Sequence, residues 1–68
     1  MTQCELILKY MGDFGEISPM QAFTDLGITR LASRIHELRR MGIEIESETR
    51  TGKNRYGMNT HYSVYRRV

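Results

Sequence analysis

An α+β fold, three helices followed by a C-terminal β-hairpin, is predicted for this chain of 68 residues by three observations. Two helix-opening signals lie near the amino terminus, Thr2 with Glu5 and Ser18 with Gln21. An apolar stripe at helical spacing follows through Leu31, Ile35 and Leu38. Beyond Gly42 the apolar residues alternate instead, which is the period of a strand with one wet face. The length suits one domain over residues 1–68: a chain this short buries only roughly 60% of the surface its unfolded form exposes, with no room for two lobes around a cleft.

Thr2 is expected to cap the first helix, with Glu5 three residues on completing a capping box in which each side chain accepts the other's free amide. Cys4, Ile7, Leu8 and Met11 follow the spacing of a buried face, widened by Leu6 and Tyr10, and the helix is expected to stop at Gly12. Residues 13–15 read as a turn with Phe14 as a plug beneath it, and Glu16 and Ile17 as a very short strand. Ser18 then caps the second helix, Pro19 takes the first helical position, where its missing N–H costs nothing, and Gln21 closes a second capping box. Ala22, Phe23 and Leu26 are its expected buried side.

Residues 24–42, TDLGITRLASRIHELRRMG, organise the rest. Gly27 tolerates a positive φ, Thr29 is a good N-cap, and between them the chain turns from one helix into the next. This is the pattern of a helix-turn-helix. Leu31, Ile35 and Leu38, with Met41 nearly in line, form the buried stripe, which places Thr29, Ser33, His36, Glu37 and Arg40 most nearly opposite the core and Arg30 and Arg34 on the flanks. An amphipathic helix with a solvated polar face would look similar, but Arg, Ser and Thr in the first two turns are what a helix in a DNA major groove needs.

After Gly42, Ile43, Ile45 and Ser47 alternate with Glu44, Glu46 and Glu48. Residues 50–57 read as a polar loop holding Gly52 and Gly57, and from Met58 the residues Thr60, Tyr62 and Val64 alternate with His61, Ser63 and Tyr65. The order helix, strand, helix, helix, strand, strand is the winged-helix arrangement. Arg50, Lys53 and Arg55 are three cations with no acid between Thr49 and Thr60, so the hairpin loop is expected to meet phosphate. Tyr62 lies in the register that faces the core, leaving Tyr56 and Tyr65 as surface rings; stacking on exposed bases is the weaker reading.

The charge is divided by position. Through Ile28 only Lys9 opposes Glu5, Asp13, Glu16 and Asp25, for a net of −3; from Thr29 onward eight arginines and Lys53 oppose Glu37, Glu44, Glu46 and Glu48, for a net of +5. The second half carries the positive face expected of a surface that meets nucleic acid. Cys4 is the one cysteine, so no internal disulfide forms; it reads as a small buried hydrophobe in a reducing compartment. The amino-terminal residues resemble neither a signal peptide nor a membrane span, which points to the cytoplasm. Catalysis finds no support: Cys4, His36 and His61 are not at metal-ligand spacing, no glycine-rich phosphate loop is present, and no cofactor, metal or small-molecule ligand is indicated.

Residues 15–48, GEISPMQAFTDLGITRLASRIHELRRMGIEIESE, with the following Gly- and Lys-containing hairpin and terminal tyrosine strand, resemble a winged helix-turn-helix family found in small phage and prophage proteins. The most specific part is the run Arg30, Leu31, Ala32, Ser33, Arg34, Ile35, His36, Glu37, Leu38, Arg39, with Gly42 and Ile45 after it. The resemblance implies DNA binding. Arg30 and Ser33 stand where older repressor-type helix-turn-helix sequences carry apolar residues, so base-contact positions do not transfer from those repressors.

The resulting expectation is a double-stranded DNA-binding regulator, non-enzymatic, with helix three in the major groove and the wing on the backbone. Thr29, Arg30, Ser33 and Arg34 would approach base edges, while Arg40, Arg50, Lys53 and Arg55 would hold phosphates. Glu37 would accept from cytosine N4 or, more simply, pair with an arginine of its own helix. A monomer this small covers few base pairs, so a homodimer or several adjacent copies is expected. Two rivals are a protein-interaction module working through the acidic first half and the Glu44, Glu46, Glu48 row, and an architectural or recombination factor that bends DNA.

Overall fold

The computed structural model describes residues 1–68. The chain forms α1 (Gln3–Phe14), α2 (Pro19–Leu26), α3 (Leu31–Arg40), β1 (Ile45–Lys53) and β2 (Asn59–Arg67). The two strands pair antiparallel, from Ile45 opposite Arg67 to Lys53 opposite Asn59. Ile17 bridges Tyr65 with backbone hydrogen bonds in both directions, each 2.8 Å, so the segment between α1 and α2 attaches to the hairpin as a minimal third strand. Between the three helices and the near end of the hairpin lie Ile7, Met11, Ile17, Ala22, Ile28, Leu31, Ile35, Leu38 and Ile45, all buried.

Both capping boxes form as the sequence predicts. Thr2 and Glu5 exchange bonds of 3.2 Å each, and Ser18 and Gln21 exchange bonds of 3.2 and 2.9 Å. α1 does not stop at Gly12. A glycine inside a helix is tolerated at about 1 kcal/mol, and the Lys9–Asp13 ion pair at 3.3 Å with the Tyr10–Phe14 ring contact at 4.6 Å supports its continuation to Phe14. It ends at Gly15, whose φ of 87° is left-handed and whose N–H donates to the Met11 carbonyl. Phe14 is not a plug; it is 68% exposed, and Tyr10 is the buried ring, its hydroxyl donating to Asp25 of α2.

Phe23 also departs from expectation. α2 leans on the core along Ala22, which is fully buried, and Phe23, about 100° further round the helix, is 57% exposed. Gly27 then turns the chain at φ 70°, and the Ile28 N–H donates to the Ala22 carbonyl. An L side chain at this φ costs about 1–2 kcal/mol. Gly27→Ala is therefore expected to destabilise the fold by that amount although open space surrounds the position, measured as a fall in the urea midpoint.

Thr29 does not cap α3. Ile28 and Leu31 are both buried, and these two anchors set where the helix begins; Arg30 takes the N-cap position and no side chain accepts from the first turn. Leu31, Ile35 and Leu38 form the buried stripe as predicted, while Met41 lies beyond the helix and is exposed. At the other end Gly42, at φ 91°, donates to the Arg39 carbonyl and Ile43 donates to the Leu38 carbonyl, the paired bonds of a Schellman stop.

Candidate nucleic-acid interface

The exposed side of α3 carries Thr29 and Arg30 at its start, then Ser33, His36, Glu37 and Arg40. Because no side chain caps α3, its first-turn amides and the positive end of the helix dipole add to the field of Arg30. Arg34 is different. Its guanidinium lies across the Glu37 carboxylate at 2.9 and 3.0 Å, its side chain is about one-third exposed, and its Nε is buried without a partner. Glu37 also accepts from the Cys4 thiol at 3.5 Å, which connects α3 to the start of α1. Burial, then the neighbouring Glu37 carboxylate, push the Cys4 thiol above its ordinary pKa, so it remains protonated and weakly nucleophilic.

The hairpin redistributes its cations as well. β1 continues through Lys53 and β2 begins at Asn59, so the connecting tip is five residues, 54–58, and Arg50 is a strand residue opposite Tyr62. Its guanidinium reaches the Glu16 carboxylate at 2.5 and 2.9 Å and Glu48 at 2.7 Å, and Glu48 takes a further 3.1 Å bond from Arg66. The network fastens the base of the hairpin to the segment between α1 and α2. Lys53 and Arg55, by contrast, stand exposed at the far end. Arg30, Arg40, Lys53 and Arg55 enter no ion pair, whereas Arg34 and Arg50 do.

Hydrogen bonds from Arg50 hold the Glu16 and Glu48 carboxyls below their ordinary pKa. A carboxylate with a depressed folded value contributes stability that is present above its unfolded value and is lost as pH falls through the folded one. Arg50→Ala is expected to flatten the acid side of the stability curve, so that urea midpoints at neutral pH and on the acid side of the glutamate range differ less than in wild type. An unaltered difference would mean the network contributes nothing.

A family model described as a winged helix-turn-helix domain matches residues 2–66. The chain belongs to that family. The hairpin is therefore the wing of a winged helix-turn-helix domain, and such a domain implies DNA binding. No curated protein and no solved structure gives a significant match. No helix of this winged helix-turn-helix domain is long and apolar enough to cross a membrane.

The tyrosines reverse their expected roles. Tyr62 shares the strand face of the buried Val64, yet two residues farther out along the wing its ring is 41% exposed. Tyr65, expected at the surface, sits at the Ile17 bridge and packs half-buried against the core. Sequence reading also missed how the wing tip is built. Asn54 accepts from the N–H groups of Tyr56 and Met58, and Gly57 lies at φ 74°; the signal was an Asn followed three residues later by a Gly between two alternating runs.

Proposed function

We propose that this chain is a double-stranded DNA-binding transcription regulator of the phage and prophage type it resembles, acting without catalysis, with α3 in the major groove and the wing along the backbone. The observation that carries this reading is the sorting of the cations: Arg30 at the start of α3, Arg40 at its end, and Lys53 and Arg55 on the wing are all exposed and have no carboxylate partner. An unpaired guanidinium or ammonium brings its full charge to a phosphate, and releasing the counterions condensed there favours binding. Thr29, Arg30 and Ser33 are the candidates for base edges, with Arg40, Lys53 and Arg55 on phosphates.

Arg34 and Glu37 act in this reading as a preset pair. The carboxylate fixes the guanidinium plane, so Arg34 approaches the groove in one orientation, and Glu37 is satisfied within the helix rather than by cytosine. Arg50 braces the wing instead of contacting DNA. Two copies on a two-fold site would double the small footprint of one.

Selection of bound sequences from a random duplex pool at near-physiological salt tests the proposal directly. A sharp motif with two-fold symmetry is expected; no enrichment would end the regulator reading. On the recovered sequence, Lys53→Ala should weaken specific and non-specific duplexes about equally and lower the slope of log affinity against log salt by about 1. An unchanged slope would remove the wing from the contact surface.

A further inference from the structure

The far end of the wing presents two exposed apolar side chains next to two cations. Tyr56 is 81% exposed and Met58 60% exposed, on a molecule that measures 39 Å along its longest axis and 21 and 20 Å across. Neither contributes to the core. The tip that carries them is nevertheless well braced: the Asn54 side-chain oxygen accepts from the Tyr56 and Met58 N–H groups at 2.9 and 3.1 Å, the Gly57 N–H donates to the Asn54 carbonyl, and the Asn54 N–H donates to the Met58 carbonyl. A side chain held on such a turn loses little further freedom when it is inserted into a partner. Lys53 and Arg55 immediately precede the pair in the chain, and no carboxylate belongs to the tip.

We propose that this tip enters the minor groove of duplex DNA with Tyr56 and Met58 as a wedge against one base step, opening the step and bending the duplex, while Lys53 and Arg55 hold neighbouring phosphates. The inference rests on the duplex-DNA reading above and adds a mode of recognition to it. Charge selects the partner, since a polyanion is what two unpaired cations beside an apolar pair can approach. The apolar pair selects the groove: side chains that part a base step enter it from the minor groove, whose edge carries little hydrogen-bonding information to lose. Burying the ring and the thioether between bases offsets the partial unstacking, which is least for pyrimidine–purine steps. The wing would thereby contribute sequence preference without touching a base edge. A single-stranded platform is disfavoured by the same geometry, because Tyr65 is half-buried at the bridge and no second ring stands beside Tyr56 at the tip to receive a successive base.

The chain contains no tryptophan, so Tyr56→Trp introduces a single indole reporter at the tip. Two end-labelled duplexes of about 30 base pairs serve as probes, one with central TA steps and one with an all-purine strand, which has no pyrimidine–purine step. Wild type is expected to raise energy transfer between the ends of the TA duplex and to bind the purine-strand duplex about 5-fold more weakly. The indole of the Tyr56→Trp variant should be quenched on saturation with the TA duplex. The Tyr56→Ala, Met58→Ala double variant, both positions being exposed, should keep the wild-type circular dichroism, bind the two duplexes equally and leave energy transfer at its free value. Saturable binding with no change in energy transfer and unaltered indole emission overturns the wedge alone. Absence of saturable binding to either duplex overturns the DNA-binding reading, and the wedge with it.

Discussion

Ile35→Ala is expected to remove most of the stability of this chain. Ile35 is 1% exposed and stands between Leu31 and Leu38 on the inner face of α3, directly behind the surface assigned to DNA. Truncating a buried isoleucine to alanine costs about 2–5 kcal/mol, the higher values where the cavity cannot collapse. A chain of this length holds only roughly 3–10 kcal/mol in total. The urea midpoint should fall by about 2 M or more, with an m-value near 1 kcal/mol/M. His36→Ala, one residue along the same helix but exposed, should move stability by no more than about 0.5 kcal/mol. Similar midpoints for the two variants would mean that the apolar spine does not hold α3 in place.

The second large effect concerns affinity rather than stability. Arg30→Ala combined with Arg40→Ala should weaken duplex binding about 100-fold near 0.1 M salt; the lost Arg40 phosphate contact leaves roughly one counterion unreleased and lowers the slope of log affinity against log salt by about 1, while the loss of Arg30 from the base edges relaxes sequence preference. Both residues are exposed and enter no ion pair, so their removal leaves no carboxylate stranded. Arg50→Ala is the informative contrast. Its charge is already opposed by Glu16 and Glu48, and its loss should alter the salt slope little. If Arg50→Ala reduced the slope as much as Arg40→Ala, the division of cations into bracing and binding groups would be wrong.

Features that depend on residues three or four apart were legible before any coordinates. The Thr2–Glu5 and Ser18–Gln21 boxes, the Leu31, Ile35, Leu38 stripe and the pairing of Glu37 with an arginine of its own helix, which is Arg34, are all of this kind, because one turn of helix fixes both partners. The turn at Gly27 was legible because few residues other than glycine adopt its φ. Misreadings fell where a distant neighbour outweighed a local signal. Thr29 is a good cap, yet burial of Ile28 and Leu31 moved the start of α3 past it. Gly12 is a poor helix residue, yet contacts on both sides of it continued the helix to Phe14. Arg50 reads as a loop cation, yet its partner Glu16 is 34 positions away.

The sequence by itself determined the order of the elements, the buried spine of α3 and the division of the chain into an acidic first half and a basic second half. Each follows from periodicity, capping or composition, which act over a few residues or over the whole chain. Only the tertiary structure decided which arginines keep their charge available. The Ile17–Tyr65 bridge sets Glu16 beside Arg50, and the packing of α1 on α3 sets Cys4 beside Glu37. An ion pair forms or fails over a few ångströms, and for partners more than a helical turn apart the separation along the chain says nothing of that distance until the backbone has closed.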